Sequence, residues 1–220
     1  MRSLIIGAIG LAAVVVVLLA FGSGRVAADT PITVLTADEI ILHLPVSPSI
    51  DRIVSDLHLE LQAVAAASSD GRIAAALRRI DGDGELLHEV ASRPAHMFDS
   101  GEAAATATAV YDIQLEPEGV TVTVATVELI PAYGSTARSR EHEDGHALIN
   151  ERITQRCAAE ALRTGVESGL QGDRLVDRMV VELSSSGDPV HNAYHRFVRN
   201  ARYGQHIRLA EQALQEVAGC

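Results

Sequence analysis

Apolar positions recur along the chain in three rhythms, and each rhythm predicts a different kind of element. From Asp51 to Ala67 and from Gly71 to Ile80 the spacing is helical, with Ile53, Leu57, Leu61 and Val64 on one stripe and Ile73, Ala76, Leu77 and Ile80 on the next. The Ser-Ser-Asp-Gly stretch before Arg72 separates the two helices. From Ala104 to Leu115 and from Val120 to Ile130 the period is two, Val120, Val122 and Val124 alternating with Thr121 and Thr123. Glu116-Pro117-Glu118-Gly119 joins these runs, so they read as a β-hairpin. Asp29 to Pro45 alternates more loosely and predicts extended chain entering the domain, whereas Gly82 to Glu102 mixes glycine, proline and acids and reads as loop.

After Pro131, a turn at Tyr133-Gly134-Ser135-Thr136 leads into a helix with Ser139 as N-cap, running towards Gly169 or Gly172. A short helix over Asp173 to Leu183, a Ser-Ser-Ser-Gly-Asp-Pro loop and a long last helix from about Pro189 to Val217 complete the expectation. The fold class that follows is α+β, a short antiparallel sheet with one helix behind the hairpin and a long C-terminal helix. Residues 29–220 make a single domain in this reading.

The third rhythm is unbroken. Leu4 to Phe21 carries no charge over 18 residues and follows a basic Met1-Arg2-Ser3 start. The stretch is long for a signal peptide and long enough to span a bilayer, so residues 1–28 are a signal peptide or a membrane anchor. Small residues at Val26-Ala27-Ala28 favour cleavage before Asp29, while membrane attachment through residues 4–21 stays open. Either way residues 29–220 face the outside, periplasmic or secreted. Cys157 and Cys220 then sit in an oxidising compartment, and whether they pair is open too.

Charge narrows the choice of partners. Two of the 18 basic residues precede residue 29, which leaves 16 against 29 acids and a net charge of −13 on the exported part. Nothing there offsets phosphate repulsion, so nucleic acid is excluded as a general partner. All the basic residues are arginine, tryptophan is absent and aromatics are 3%, so stacking platforms are poorly supplied and the core must be aliphatic. The acidic surface suits a cationic substrate, although such charge also serves solubility.

The residues that carry chemistry are His142-Glu143-Asp144-Gly145-His146. Histidines four apart project from one helical face and can place two ring nitrogens on one zinc ion, while the glutamate between them lies beside a water that the zinc activates. That arrangement predicts metal-assisted peptide hydrolysis, with His142 and His146 as ligands and Glu143 as general base and then acid. The preceding strand, Val120 to Ile130, would serve as an edge on which a peptide or protein substrate lies extended. Ile149 and Ile153 share the stripe of the two histidines, which turns that stripe inward. His43, His58 and His88 read as surface or packing residues.

A catalytic zinc needs a third protein ligand. Cys157 and Glu160 lie on the same helix, about 17 and 21 Å beyond His146, and are out of reach. His191, His195 and His206 fall within about 60° of one another on one predicted helix, so one of them is the candidate.

The run Val120 to Pro131 followed by Arg140-Glu141-His142-Glu143-Asp144-Gly145-His146-Ala147 resembles the predicted secreted zinc-dependent protease family, catalogued as a bacterial domain of unknown function, whose motif is HExGH after a strand ending in proline. The resemblance extends more loosely from about Arg72 to Leu214. It implies a secreted, zincin-like fold with an uncharacterised substrate. Members of that family carry a tyrosine and then Thr-x-His-Gly on the last helix, the histidine standing as third ligand. Aligning that glycine with Gly204 puts Tyr203 in the histidine's place, with His206 three residues further on. His206 is therefore the favoured third ligand and His195 the runner-up, with His191 behind them and Tyr203 as an oxygen ligand or transition-state donor.

Three functions follow in order. The first is an exported zinc metallopeptidase. The second is an exported metal-binding or protein-interaction domain that cannot cleave, and the third is a structural envelope protein without metal.

Overall fold

The computed structural model describes residues 26–45, 48–99, 106–131, 137–199 and 201–220. The apolar segment 4–21 and the turn at Tyr133 to Thr136 lie outside the described residues, among which no helix is long and apolar enough to cross a membrane. In chain order the elements are β1 (Ile32–Thr36), β2 (Ile40–Leu44), α1 (Ile50–Ala67), α2 (Gly71–Gly82), α3 (Gly84–Asp99), β3 (Thr106–Glu116), β4 (Gly119–Pro131), α4 (Ala137–Glu167), α5 (Asp173–Val198) and α6 (His206–Glu216).

β4 is the centre of the sheet. The predicted hairpin forms, with β3 antiparallel to β4 from Thr106 opposite Leu129 to Glu116 opposite Gly119. On the other edge of β4, β1 pairs in parallel with residues 120–124 and β2 in parallel with residues 127–131. The sheet is therefore mixed, and the antiparallel expectation holds for the hairpin alone. The reason is the connection: after β2 the chain passes through three helices into β3, and the hairpin then reverses it, so β4 comes back parallel to β2. β4 is also no edge strand, so it offers no free ladder to an extended substrate.

The alternation along β4 explains the layers. Val120, Val122 and Val124, with Tyr111 and Ile113 of β3, enter a core shared with α4, α5 and α6. Ala125, Val127 and Leu129, with Val110, enter a second core beneath α1, α2 and α3. Helices thus cover both faces, giving a mixed α/β arrangement of three layers. On the second face Arg79 of α2 grips the buried Asp112 of β3 with two hydrogen bonds, Nε to Oδ1 at 3.0 Å and Nη2 to Oδ2 at 2.7 Å.

Local caps account for the first two helix starts: Ser49 accepts from the Arg52 amide and Asp70 from the Arg72 amide. The segment expected to be loop is α3 instead. Asp83 Oδ1 accepts from the amides of Glu85 and Leu86, and Leu86, Leu87, Val90 and Ala91 bury at helical spacing, which outweighs the glycines and acids around them. α4 starts two residues earlier than expected, so Ser139 lies in its first turn and is not its N-cap.

The last third differs most. α5 continues through the expected Ser-Ser-Ser-Gly-Asp-Pro loop with Pro189 inside it. A proline in a helix costs about 3 kcal/mol. Fully burying Leu183, Val190 and Tyr194, at about 1.5–3 kcal/mol for each large side chain, offsets that cost. The chain breaks later, between Val198 and His206, where Gly204 adopts φ +85°, a left-handed conformation that favours glycine. The single last helix expected is therefore two.

Cys157 of α4 and Cys220 are joined in a disulfide that closes a loop over a separation of 63 residues. Opening it by Cys220→Ser is expected to lower the unfolding free energy by about 2–4 kcal/mol, measured in a denaturant melt of the oxidised chain. An unchanged midpoint would mean that the bond constrains nothing the fold depends on.

Candidate metal centre

Two helices build the site, α4 carrying the HExxH residues and α5 lying across them. Their approach depends on Gly145, because a Cβ there would meet the Tyr194 hydroxyl oxygen at 2.2 Å and its ring carbon Cζ at 2.5 Å. Tyr194 is fully buried. Its ring stacks on His142, with centroids 5.2 Å apart and planes 20° from parallel, and its hydroxyl donates to the His142 carbonyl at 2.9 Å. The glycine of the motif is thus the space that the phenol of α5 fills.

With the helices this close, three imidazoles converge. His146 Nε2 lies 3.2 Å from His142 Nε2 and 3.0 Å from His195 Nε2. His142, His146 and His195 form a group that could hold a metal ion, each offering one nitrogen within 4.8 Å of the others. Nitrogens held tetrahedrally around zinc at about 2.0–2.1 Å lie about 3.3 Å apart, close to both distances.

The proton inventory agrees with that fit. His146 Nδ1 is 2.7 Å from His191 Nδ1, His191 Nε2 is 3.0 Å from Asn150 Oδ1, and Asn150 Nδ2 is 3.4 Å from Thr126 Oγ1 on β4. The amide of Asn150 donates to the threonine, so its oxygen accepts from His191 Nε2–H, and His191 Nδ1 accepts in turn from His146 Nδ1–H. The chain of donors leaves a lone pair on His146 Nε2. One lone pair facing two neighbouring nitrogens suits a shared cation better than a pair of hydrogen bonds.

Burial reinforces the neutral form. It holds His146 well below the ordinary histidine range, with His191, His142, His195 and His206 adding repulsion, and it lowers His195. His191 is pushed down to about 3 by burial and then by His195 and His142. Neutral imidazole is the form that ligates metals.

Glu143 is 4% exposed, and burial, then Asp144, pushes its carboxyl up to about 8. Glu128 of β4, fully buried, is likewise raised to about 8 by burial first, then by Glu39, Glu143 and Asp144, with Arg140 opposing. Tyr194 is raised by burial and the nearby Glu143, Glu141 and Asp144, so it stays a neutral phenol.

The structure brings His142 and His146 together as the sequence predicts, with Glu143 buried on the turn between them, but it sorts the other candidates differently. His195 joins the cluster and His206 does not. His206 starts α6, with Nδ1 3.2 Å from the Tyr194 hydroxyl and its ring centroid 5.5 Å from that of His142. The break before α6 is the reason, since it takes His206 off the helical face that His191 and His195 share. His191 supports His146 from behind, and Tyr203 is 70% exposed.

Glu141 accepts from the amides of Gly204 at 2.7 Å and His206 at 2.9 Å, anchoring the start of α6 beside the site. Burial alone would raise Glu141, but these backbone donors hold it below the ordinary carboxylate range.

Sequence reasoning missed Tyr194, Asn150, Thr126 and Glu141, together with the carboxylates Glu39 and Glu128. Asn150 had a signal, standing four residues after His146 on the same stripe. Glu128 had one as well, a charge at an alternating position inside a strand of valines and threonines.

Comparison with protein-family models, curated proteins and solved structures finds no match for this chain.

Alanine at a mid-helix glycine ordinarily gains about 1 kcal/mol. Gly145→Ala is expected to do the reverse, costing about 1–3 kcal/mol by overpacking against Tyr194, with the sign read from a denaturant melt.

Proposed function

We propose that this chain is an exported zinc metallopeptidase whose ligands are His142, His146 and His195, with His195 replacing His206 as the third. The observation that carries the reading is the convergence of three imidazoles from two helices, one of them fixed in its tautomer by His191 and Asn150. Three nitrogens with an open remaining position are the donor set of a catalytic zinc, whereas structural sites are usually closed by four. A bound zinc would supply Lewis acidity and a water acidified towards neutrality.

The chain's own residues supply the rest. Glu143, on the same turn as His142 and His146, takes a proton at its carboxylate and returns it to the leaving amine. Tyr194 holds the turn at His142 and excludes water from the helix interface. His191 and Asn150 orient His146, the kind of support whose loss costs about 10–100-fold in metal affinity. The disulfide supports the exported setting, since such bonds persist in oxidising compartments.

Elemental analysis of the purified chain is expected to give about one zinc per molecule. His195→Ala should lose the metal and His206→Ala should keep it. The opposite pattern returns the third ligand to His206, and no zinc in the wild type sinks the reading. His191→Ala should weaken zinc by about 10–100-fold while leaving all three ligands in place.

Glu143→Gln should retain zinc and lose hydrolysis of a peptide library by about 10²- to 10⁴-fold. A wild type that binds zinc and cleaves nothing would instead be the non-catalytic metal-binding domain.

A further inference from the structure

A second group of side chains lies beside the imidazoles and takes no part in the chemistry proposed for them. Carboxylate oxygens of Glu39, Glu128 and Asp144 all lie within 4.8 Å of one another. Clustered acids are common on protein surfaces, but Glu128 is not on the surface. It is 0% exposed, and neither of its oxygens has a hydrogen-bond partner among the described residues. A buried carboxyl without a partner is costly, and here it is placed where two further carboxyls converge on it.

We propose that Glu39, Glu128 and Asp144 form a site for a hard divalent cation, calcium by size, distinct from the imidazole cluster. Three anionic oxygens and no nitrogen or sulfur are the donors that calcium takes and that zinc does not prefer. Oxygens around calcium at 2.3–2.6 Å lie up to about 5 Å apart, whereas magnesium at about 2.1 Å would draw them within about 4.2 Å. Glu39 is exposed, so one side of the site opens to solvent for further oxygen ligands.

The three residues come from separate parts of the fold. Glu39 lies in the connection between β1 and β2, Glu128 on β4 and Asp144 on α4. A cation held by all three would therefore tie the catalytic helix to the sheet. The proposal shares no ligand with the zinc reading and stands whether or not that reading does.

The test is thermal unfolding of the full chain, its zinc content measured in parallel, in calcium-free buffer and across a series of Ca2+ concentrations, with Mg2+ as a second series. The melting temperature of the wild type is expected to rise with Ca2+ and to keep rising as the concentration grows. Glu128→Gln should abolish the response, and Glu39→Gln should weaken calcium binding by about tenfold or more, both with zinc content unchanged. Because Glu39 is exposed, its variant decides the matter should Glu128→Gln fail to fold. No response to Ca2+ in the wild type, or an undiminished response in Glu39→Gln, overturns the site. A larger response to Mg2+ than to Ca2+ overturns the calcium assignment.

Discussion

The close approach of α5 to α4 at Gly145 is the constraint on which the rest of the site depends. Where a side chain would keep the helices apart, the missing Cβ lets a tyrosine ring lie against the helix backbone and stack on the first histidine of the motif. The same approach carries His191 and His195 to His146, because they lie three residues before Tyr194 and one after it. A spacing pattern on one helix thereby becomes a three-dimensional set of donors. The tyrosine sets the distance, and the histidines on either side of it use that distance.

The sheet contributes through a change of character along one strand. The face of β4 under α4 begins as Val120, Val122 and Val124, which are core, and continues as Thr126 and Glu128, which are polar and buried. Helix α4 changes in register with it, from Ile149 and Ile153 to Asn150, His146 and Glu143. The polar half of the strand thus lies beneath the polar half of the helix, at the carboxyl end of β4, where open α/β sheets commonly bind ligands. A buried polar layer of this kind is stable only where its members satisfy one another. The Thr126, Asn150, His191 and His146 chain does so, whereas both carboxyl oxygens of Glu128 lack a partner among the described residues.

Much of this was legible in the sequence, and the parts that were not share a physical reason. The hairpin, α1, α2 and the HExxH helix follow from periodicity and turn residues, which are local. The parallel pairing of β1 and β2 was not legible, because Ile32 and Val34 read alike beside either neighbour and the direction is set by the path through α1 to α3 and the hairpin together. Composition misled twice. Glycine, proline and serine suggested loops at α3 and in the middle of α5, where burial of Leu86 and Val90, and of Leu183 and Val190, carries the helix through. The placing of His206 was not legible for another reason: a helical wheel drawn across one long helix sets His206 with His191 and His195, and the break at Gly204 takes it off that face. Tyr194 and Asn150 act only through tertiary contact, and no spacing rule on a single element selects such residues.

The two cores lie on opposite faces of one sheet, and every imidazole of the cluster belongs to one side. The cooperative unit that would feel a metal held by these imidazoles is therefore the layer of α4, α5 and α6, linked to the layer of α1, α2 and α3 through the shared strands β3 and β4. Ligation would slow amide exchange in the first layer by the full binding free energy wherever opening separates α4 from α5. Openings confined to the second layer would keep their rates, since they leave the imidazoles where they are. Three helices of this molecule would then serve as an internal reference, indifferent to the metal that the other three report.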